Sequence, residues 1–487
     1  MDRLGWDFKK SGSIKVEPNL LGHGFMISFS RFKTVRTILL SVVFGFVVSI
    51  FQISHSDAFK DPNLDYKHIQ ATSTDLIISR SDYNDGLHGF WLGQSIANWT
   101  GLTTENNRIG VGKTGDFYTR DDWGKLNRPS NLQIHWEKNH RIIDYVFKSE
   151  EEIWGADDDT DIEYMYQHLT YHHSASILSA DQIRQGWMRH IKKSEPNYLW
   201  VSNEAALHLM HEGLSTPETG SPTNNPHFDM IDAQLTTEIF GLFAPASPEV
   251  ALDLSYLPIR VTAHKEAAWI AEFYVVMHSL ASSVDRTLPM KEQIFWMADR
   301  AREYLPNDSY PAKMFDFVKK QFTVNSRWED TRDQIYMRYQ LEEEDGYTIS
   351  SRNLYCNGCF AAGINYAASL VSLFYGEGDL KETIKIGTLA GWDSDNPTAT
   401  WGGLLGFMLG KDGIEEAFER KFSDKYHIHR TRQAFPLKNG IDSFDAMAKK
   451  GVFIVDRIVQ DRLGGGIDFE KGVWVLPNVD PKSIQSF

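Results

Sequence analysis

Carboxylates in two distant stretches of this chain crowd helix starts more densely than a helix needs, and a third stretch adds one past a helix end. In GWDSDNPTATWGGLLGFMLG (391–410), Asp393 and Asp395 stand one residue apart just ahead of a predicted helix. Asn396 suits its N-cap and Pro397 its first position, where a missing N–H costs nothing. In WGADDDTDIEYMYQHL (154–169), Asp157, Asp158, Asp159, Thr160 and Asp161 fill the first turn of a second helix. Its apolar residues Ile162, Met165, Tyr166 and Leu169 recur at i, i+3, i+4 and i+7. The helix dipole favours one or two acids there, by about 0.3–1 kcal/mol each. Three consecutive like charges repel one another unless a cation lies among them. A third acid, Glu105, stands in the loop after a glycine-rich helix. Taken singly, Asp393 and Asp395 read as acids in a capped first turn and Glu105 as a solvated loop acid. Taken together, Glu105, Asp158, Asp159, Asp393 and Asp395, joined by the Thr160 hydroxyl, form an all-oxygen donor set. Such a set suits Mg or Mn rather than zinc.

The elements that must position these acids are helices. Ala399, Gly402, Gly403, Gly406 and Gly410 put small residues along the helix after Asp395. Gly86, Gly89, Gly93 and Ala97 do the same in DYNDGLHGFWLGQSIANWTGLTTENN, which ends at Glu105 and its neighbours. Faces of this kind admit another backbone at close range, so both helices are expected to be buried. Between residues 170 and 330 one helix follows another. Ser179 caps one of them, NEAALHLMHEGL ends at a glycine, and the alanine-rich AHKEAAWIAEFYVVMHSLA is apolar on most sides. Two more helical stretches lie between 353 and 390. After Gly410 come an acidic helix and a closing segment read as a helix or strand with a glycine turn. Strand signals are scarce, and there is no internal repeat, so the expected class is all-α.

These motifs resemble those of the ADP-ribosylglycohydrolase family. Its C-terminal signature, Gly-Gly-Asp-Thr-Asp-Thr before a glycine-rich helix, is matched with Trp392, Ser394 and Asn396 as departures. Its Thr-Asp-Asp-Thr motif is matched by Asp158, Asp159 and Thr160, with Asp157 in place of the first threonine. Its first motif aligns on Gly89, Gly93, Gly101 and Glu105, where the usual Gly-Asp pair becomes Ala97-Asn98. The resemblance covers most of residues 84–410. It implies a single large multi-helix domain with two Mg or Mn ions in a central cleft. The implied ligands are Asp158, Asp159, Thr160, Asp393, Asp395 and Glu105, with Glu105, Asp158 and Asp159 as the acid–base candidates. The implied reaction is hydrolysis of the bond between the anomeric ribose carbon of an ADP-ribosyl, or related ribosyl, group and its acceptor, a small molecule or a protein. The family's ribose and phosphate loop falls on GSPTNNPHFDMIDAQLTTEIFG without its usual pattern. Asn224 and Asn225 there, with Asn98 and Asn396, are the substrate-binding candidates. Two other readings compete: a non-catalytic ADP-ribose-binding or structural relative, and a ribohydrolase acting on another nucleoside-type substrate.

The chain has 487 residues and a formal net charge of −15, which disfavours nucleic acid as a partner. Residues 37–53 form the one long apolar run, after Arg31, Lys33 and Arg36 and before SHSDA. A basic flank, apolar centre and small-residue exit describe an export signal, with an uncleaved signal anchor as the second reading and the only expected membrane contact. The domain should then lie outside the cytoplasm. The expected organisation is 1–56 extension and signal or anchor, 57–83 linker, 84–430 helical domain, and 431–487 C-terminal extension packed on it. Cys356 and Cys359, the two cysteines, are too few for a four-thiolate zinc site and are read as a local disulfide or inert thiols. His168, His172 and His173 are read as structural, and the sequon at Asn98 as packed.

Overall fold

The two glycine-bearing helices lie against each other and set the plan of the molecule. The computed structural model describes residues 59–109, 116–129, 141–195, 199–348 and 358–477. Strand β1 (Leu76–Ser79) leads into α1 (Arg80–Gly101), and the short β2 (Trp154–Gly155) leads into α2 (Asp158–His172). Helices α3 (Ala180–His190), α4 (Val201–His211), α5 (Ile239–Phe243), α6 (Pro248–Ile259) and α7 (Glu266–Leu280) follow. Next come α8 (Met290–Arg302), α9 (Tyr310–Val324), α10 (Trp328–Ile335), α11 (Ala362–Gly376), α12 (Leu380–Ala390) and α13 (Asp395–Ala417). Strands β3 (Lys425–His427) and β4 (Ile441–Ser443), helix α14 (Phe444–Asp461), and strands β5 (Gly466–Asp468) and β6 (Val473–Leu476) close the described chain. The class is all-α, and residues 56–487 make one unit.

Helices α1 and α13 run antiparallel, with backbone against backbone. A Cβ on Gly93 would sit 2.2 Å from the Gly402 carbonyl oxygen, and one on Gly406 2.2 Å from that of Gly89. Only glycine permits this approach. Its consequence is positional: the end of α1 meets the start of α13, so that a Cβ on Gly101 would lie 2.5 Å from the Asp395 Cα. Glu105, just past α1, is thereby delivered beside Asp393 and Asp395. Helix α7 is buried along nearly its whole surface, as its alanine-rich apolar sequence predicts. Ser179 caps α3 by accepting from the Gln182 N–H, as expected.

Two small sheets finish the unit. One has the antiparallel order β1–β6–β5, and the other pairs β2 parallel to β3 and β3 antiparallel to β4. Within the stretch read as linker, Leu76–Ser79 form β1, paired with Val473–Leu476, and α1 already begins at Arg80. The closing segment is a helix, α14, followed by a β-turn-β, so the tail is woven into the domain. Asn396 does not cap α13. The helix starts at Asp395 after Ser394, which puts Pro397 third, where its N–H would still be unused. Cys359 is disulfide-bonded, and the one other cysteine, Cys356, lies outside the described residues, as do the apolar run 37–53 and the start of the chain. No described helix is long and apolar enough to cross a membrane.

Candidate metal centre

The ends of α1, α2 and α13 converge on a cavity of about 140 Å³. Seven carboxylates line it, from Glu105, Asp157, Asp158, Asp159, Asp232, Asp393 and Asp395, and among the described residues no lysine, arginine or histidine does. Leu102, Trp200, Leu235 and Phe360 supply apolar wall. Two groups could each hold a divalent ion. Oxygens of Glu105, Asp393 and Asp395 lie within 4.8 Å of one another, and so do those of Asp157, Asp159 and Asp395. Asp395 belongs to both. Its Oδ1 is buried and accepts no hydrogen bond from the protein, which fits an oxygen turned toward an ion. The donor set is hard oxygen throughout, which fits Mg or Mn.

Neighbouring side chains aim the acids. Asn98 on α1 donates its amide to Asp159 Oδ2 at 2.9 Å and to Asp157 Oδ2 at 3.1 Å. Asn396 donates to Asp159 Oδ1 at 3.2 Å and accepts from Gln234 Nε2 at 3.1 Å. Both oxygens of Asp159 are therefore held from behind. Ser394 Oγ donates to the Gly101 carbonyl at 3.0 Å and lies 2.9 Å from Thr104 Oγ1, tying the aspartate loop to the end of α1. Trp392, which stands where the family pattern has glycine, keeps the left-handed backbone such a glycine would adopt, with φ 57°. Its buried ring donates to Gln340 Oε1, while its N–H and carbonyl bond Arg108 and Asn106. That network holds a strained conformation at the site. On the first turn of α2, the Thr160 hydroxyl is engaged with the Asp157 backbone and accepts from Tyr426 at 2.9 Å. Asp161 points away and pairs with Arg432 at 3.0 Å.

Without cations the acids raise one another. Burial and then Asp157 push Glu105 up to about 7. Burial first, then neighbouring carboxylates, hold Asp158, Asp159, Asp393 and Asp395 well above the usual range. Burial raises Asp157 as well and pushes Asp232 up to about 6. A divalent ion would reverse this logic by favouring the ionised forms.

Of the residues expected from sequence, the cavity brings together Glu105, Asp158, Asp159, Asp393 and Asp395, although Asp158 lines it without joining either group. Thr160 is adjacent with its hydroxyl in use. Asn98 and Asn396, expected to meet substrate, are turned toward Asp159. Asn224 and Asn225 do not line the cavity: the first bonds the Glu218 carbonyl, and the second, fully buried, bonds the Ser202 and Thr219 carbonyls. His168, His172 and His173 are absent from its lining, and the Asn98 side chain is buried, so the sequon is packed. Asp157 and Asp232 were not anticipated. The run of three aspartates pointed to Asp157, but its position also suits an N-cap, which it is. Asp232 sits in a short 3-10 turn, Ile231–Ala233, inside the stretch matched to the family's ribose and phosphate loop, where no local residue pattern singled it out.

The family profile described as ADP-ribosylglycohydrolase matches residues 79–443. No curated protein matches the chain. A solved chain described as "ADP-ribosylglycohydrolase-related protein complex" is similar at 13% identity, over 77% of this chain and 99% of its own, with a TM-score of 0.45. With three-quarters of its length under that profile, the chain belongs to the ADP-ribosylglycohydrolase family and is an enzyme of hydrolase type.

Proposed function

We propose that the acidic cavity holds two divalent ions, Mg or Mn, and that the chain hydrolyses the glycosidic bond joining an ADP-ribosyl, or related ribosyl, group to its acceptor. The observation that carries this reading is the convergence of seven carboxylates on one cavity, with no basic residue among the described residues of its lining. Glu105, Asp393 and Asp395 would hold one ion, and Asp157, Asp159 and Asp395 the other. Asp158 stands beside them, and Thr160 would join only by exchanging its bonds to Asp157 and Tyr426. Bound ions supply positive charge that orients sugar hydroxyls and lowers the pKa of a water.

The chain's own residues account for the rest. Departure of the acceptor leaves positive character on the ribose ring, which a wall of carboxylates favours. Glu105, partly exposed at the cavity, is one candidate for the general acid–base residue. Asp158 is the other candidate for that role. Asn98 and Asn396 hold Asp159 in place, and Trp200, Leu235 and Phe360 supply apolar wall. The basic flank and apolar run before residue 54 support export of this domain, by sequence alone.

The test is release of ADP-ribose from ADP-ribosylated peptides with Mg or Mn, against EDTA and against a nucleoside panel. Asp158→Asn and Asp393→Asn should each abolish metal-dependent turnover with the helical circular dichroism unchanged. Full activity in both would remove the reaction from this cavity.

A further inference from the structure

A second cavity, of about 280 Å³, lies among the segments around Lys192 and between His427 and Gly440. Its wall carries Lys192, Arg430 and Arg432, with His427 and His429, and no aspartate or glutamate among the described residues. In a chain with 65 acidic against 50 basic side chains, that is a local reversal of charge. The frame is held by backbone bonds. The Lys192 N–H donates to the Thr431 carbonyl at 2.8 Å, Gln433 to His190 at 2.9 Å, Arg432 to His429 at 2.9 Å, and Ile428 to Gly440 at 2.9 Å. Lys192 Nζ donates to the Arg430 carbonyl at 2.8 Å and pairs with no carboxylate among the described residues. Arg432, 1% exposed, is fixed by Asp161 at 3.0 Å. Arg430 is 53% exposed and reaches Glu195 at 3.4 Å. His429 is pushed down to about 4 by burial, then by Arg432 and Arg430, so at neutral pH the positive charge rests on the lysine and the arginines.

We propose that this cavity is a binding site for a phosphate group, gripped by Lys192 and Arg430, with Arg432, held by Asp161, forming the wall behind them. A phosphate dianion needs more than one cation, and arginine presents a planar donor fork matched to its oxygens. The site is separate from the acidic centre. Asp161, which anchors Arg432, lies about 200° around α2 from Asp159 at 3.6 residues per turn. The inference does not depend on the reaction proposed above, since it concerns other residues and needs no metal.

The experiment is titration of inorganic phosphate into the full metal-free chain in EDTA at low ionic strength, followed by calorimetry and phosphorus NMR. Saturable binding is expected, weakened at least tenfold in Lys192→Ala/Arg430→Ala with the circular dichroism unchanged. Arg430→Ala alone, at a half-exposed side chain, should weaken it at least threefold and serves if the double variant folds poorly. A second arm repeats the titration with saturating ADP-ribose. Competition assigns the phosphate to the nucleotide, and simultaneous binding assigns it to a separate anion; either outcome keeps the site. Absence of saturable binding, or affinity unchanged in both variants, overturns it.

Discussion

Asp395→Asn perturbs the acid cluster at its densest point. An oxygen of Asp395 lies within 4.8 Å of one from each of Glu105, Asp393, Asp157 and Asp159. Two unit charges at that separation repel by about 3 kcal/mol at an effective dielectric near 20. Burial and these neighbours hold the Asp395 carboxyl well above its usual range, so the metal-free fold favours the neutral acid. Asparagine supplies a neutral side chain of the same shape at every pH. In EDTA above pH 6.5 the variant should be more stable than wild type by on the order of 2–3 kcal/mol. Unfolding a unit of roughly 430 residues, 56–487, carries about 0.9 kcal/mol/K of entropy, so the gain is about 2–3 °C in Tm. With Mn at a hundred times its Kd, wild type gains about 2.7 kcal/mol, or about 3 °C, per ion. The variant forfeits an oxygen shared by both groups and should lose most of that shift. Thermal melts by calorimetry, with EDTA and with Mn, should therefore cross: variant above wild type without metal, below it with metal. A variant less stable than wild type in EDTA, or one keeping the full Mn shift, refutes the reasoning.

Three further outcomes follow from the same structure. In EDTA, stability should fall as pH rises from 6.5 to 8 by at least about 1 kcal/mol in urea melts, since Asp158, Asp159, Asp393 and Asp395, held well above their usual range, act with the same sign as two raised glutamates. Glu105 and the buried Glu238 are both pushed up to about 7, so the folded chain retains protons that the unfolded chain has released, and the stability present at low pH is lost through that window. Buried His168 and His278, pushed down to about 3 and 4, act with the opposite sign only below about 6.5, where unfolded histidine titrates. Asn98→Ala removes the amide that aims Asp157 and Asp159, and should cost about 10–100-fold in Mn affinity by calorimetry with little change in Tm in EDTA. Gly93→Ala places a Cβ 2.2 Å from the Gly402 carbonyl and should cost about 1–3 kcal/mol or more, seen as a lowered Tm or loss of soluble protein.

What was legible in the sequence was what periodicity and local charge encode. The small residues of α1 and α13 announced a close helix pair before either partner was known, and the runs at Asp157–Asp161 and Asp393–Asp395 announced the crowded acids that the cavity brings together. What was not legible depends on the third dimension. Asn98 and Asn396 are the right residue type to meet a sugar, yet tertiary packing turns their amides onto Asp159. Asp157 serves as an N-cap and as a cavity acid at once, so its local explanation hid the other role. Trp392 at φ 57° breaks the rule that such a position calls for glycine, and only its bonds to Gln340, Arg108 and Asn106 account for it. The pairing of Leu76 with Leu476, across nearly the whole chain, has no local signature at all.

Anomalous diffraction from crystals soaked in manganese addresses the acid cavity most directly. Two peaks are expected, one among Glu105, Asp393 and Asp395 and the other among Asp157, Asp159 and Asp395, both lost in Asp395→Asn. A map without peaks there, with the same acids turned apart into solvent, would contradict the metal centre and with it the proposed reaction.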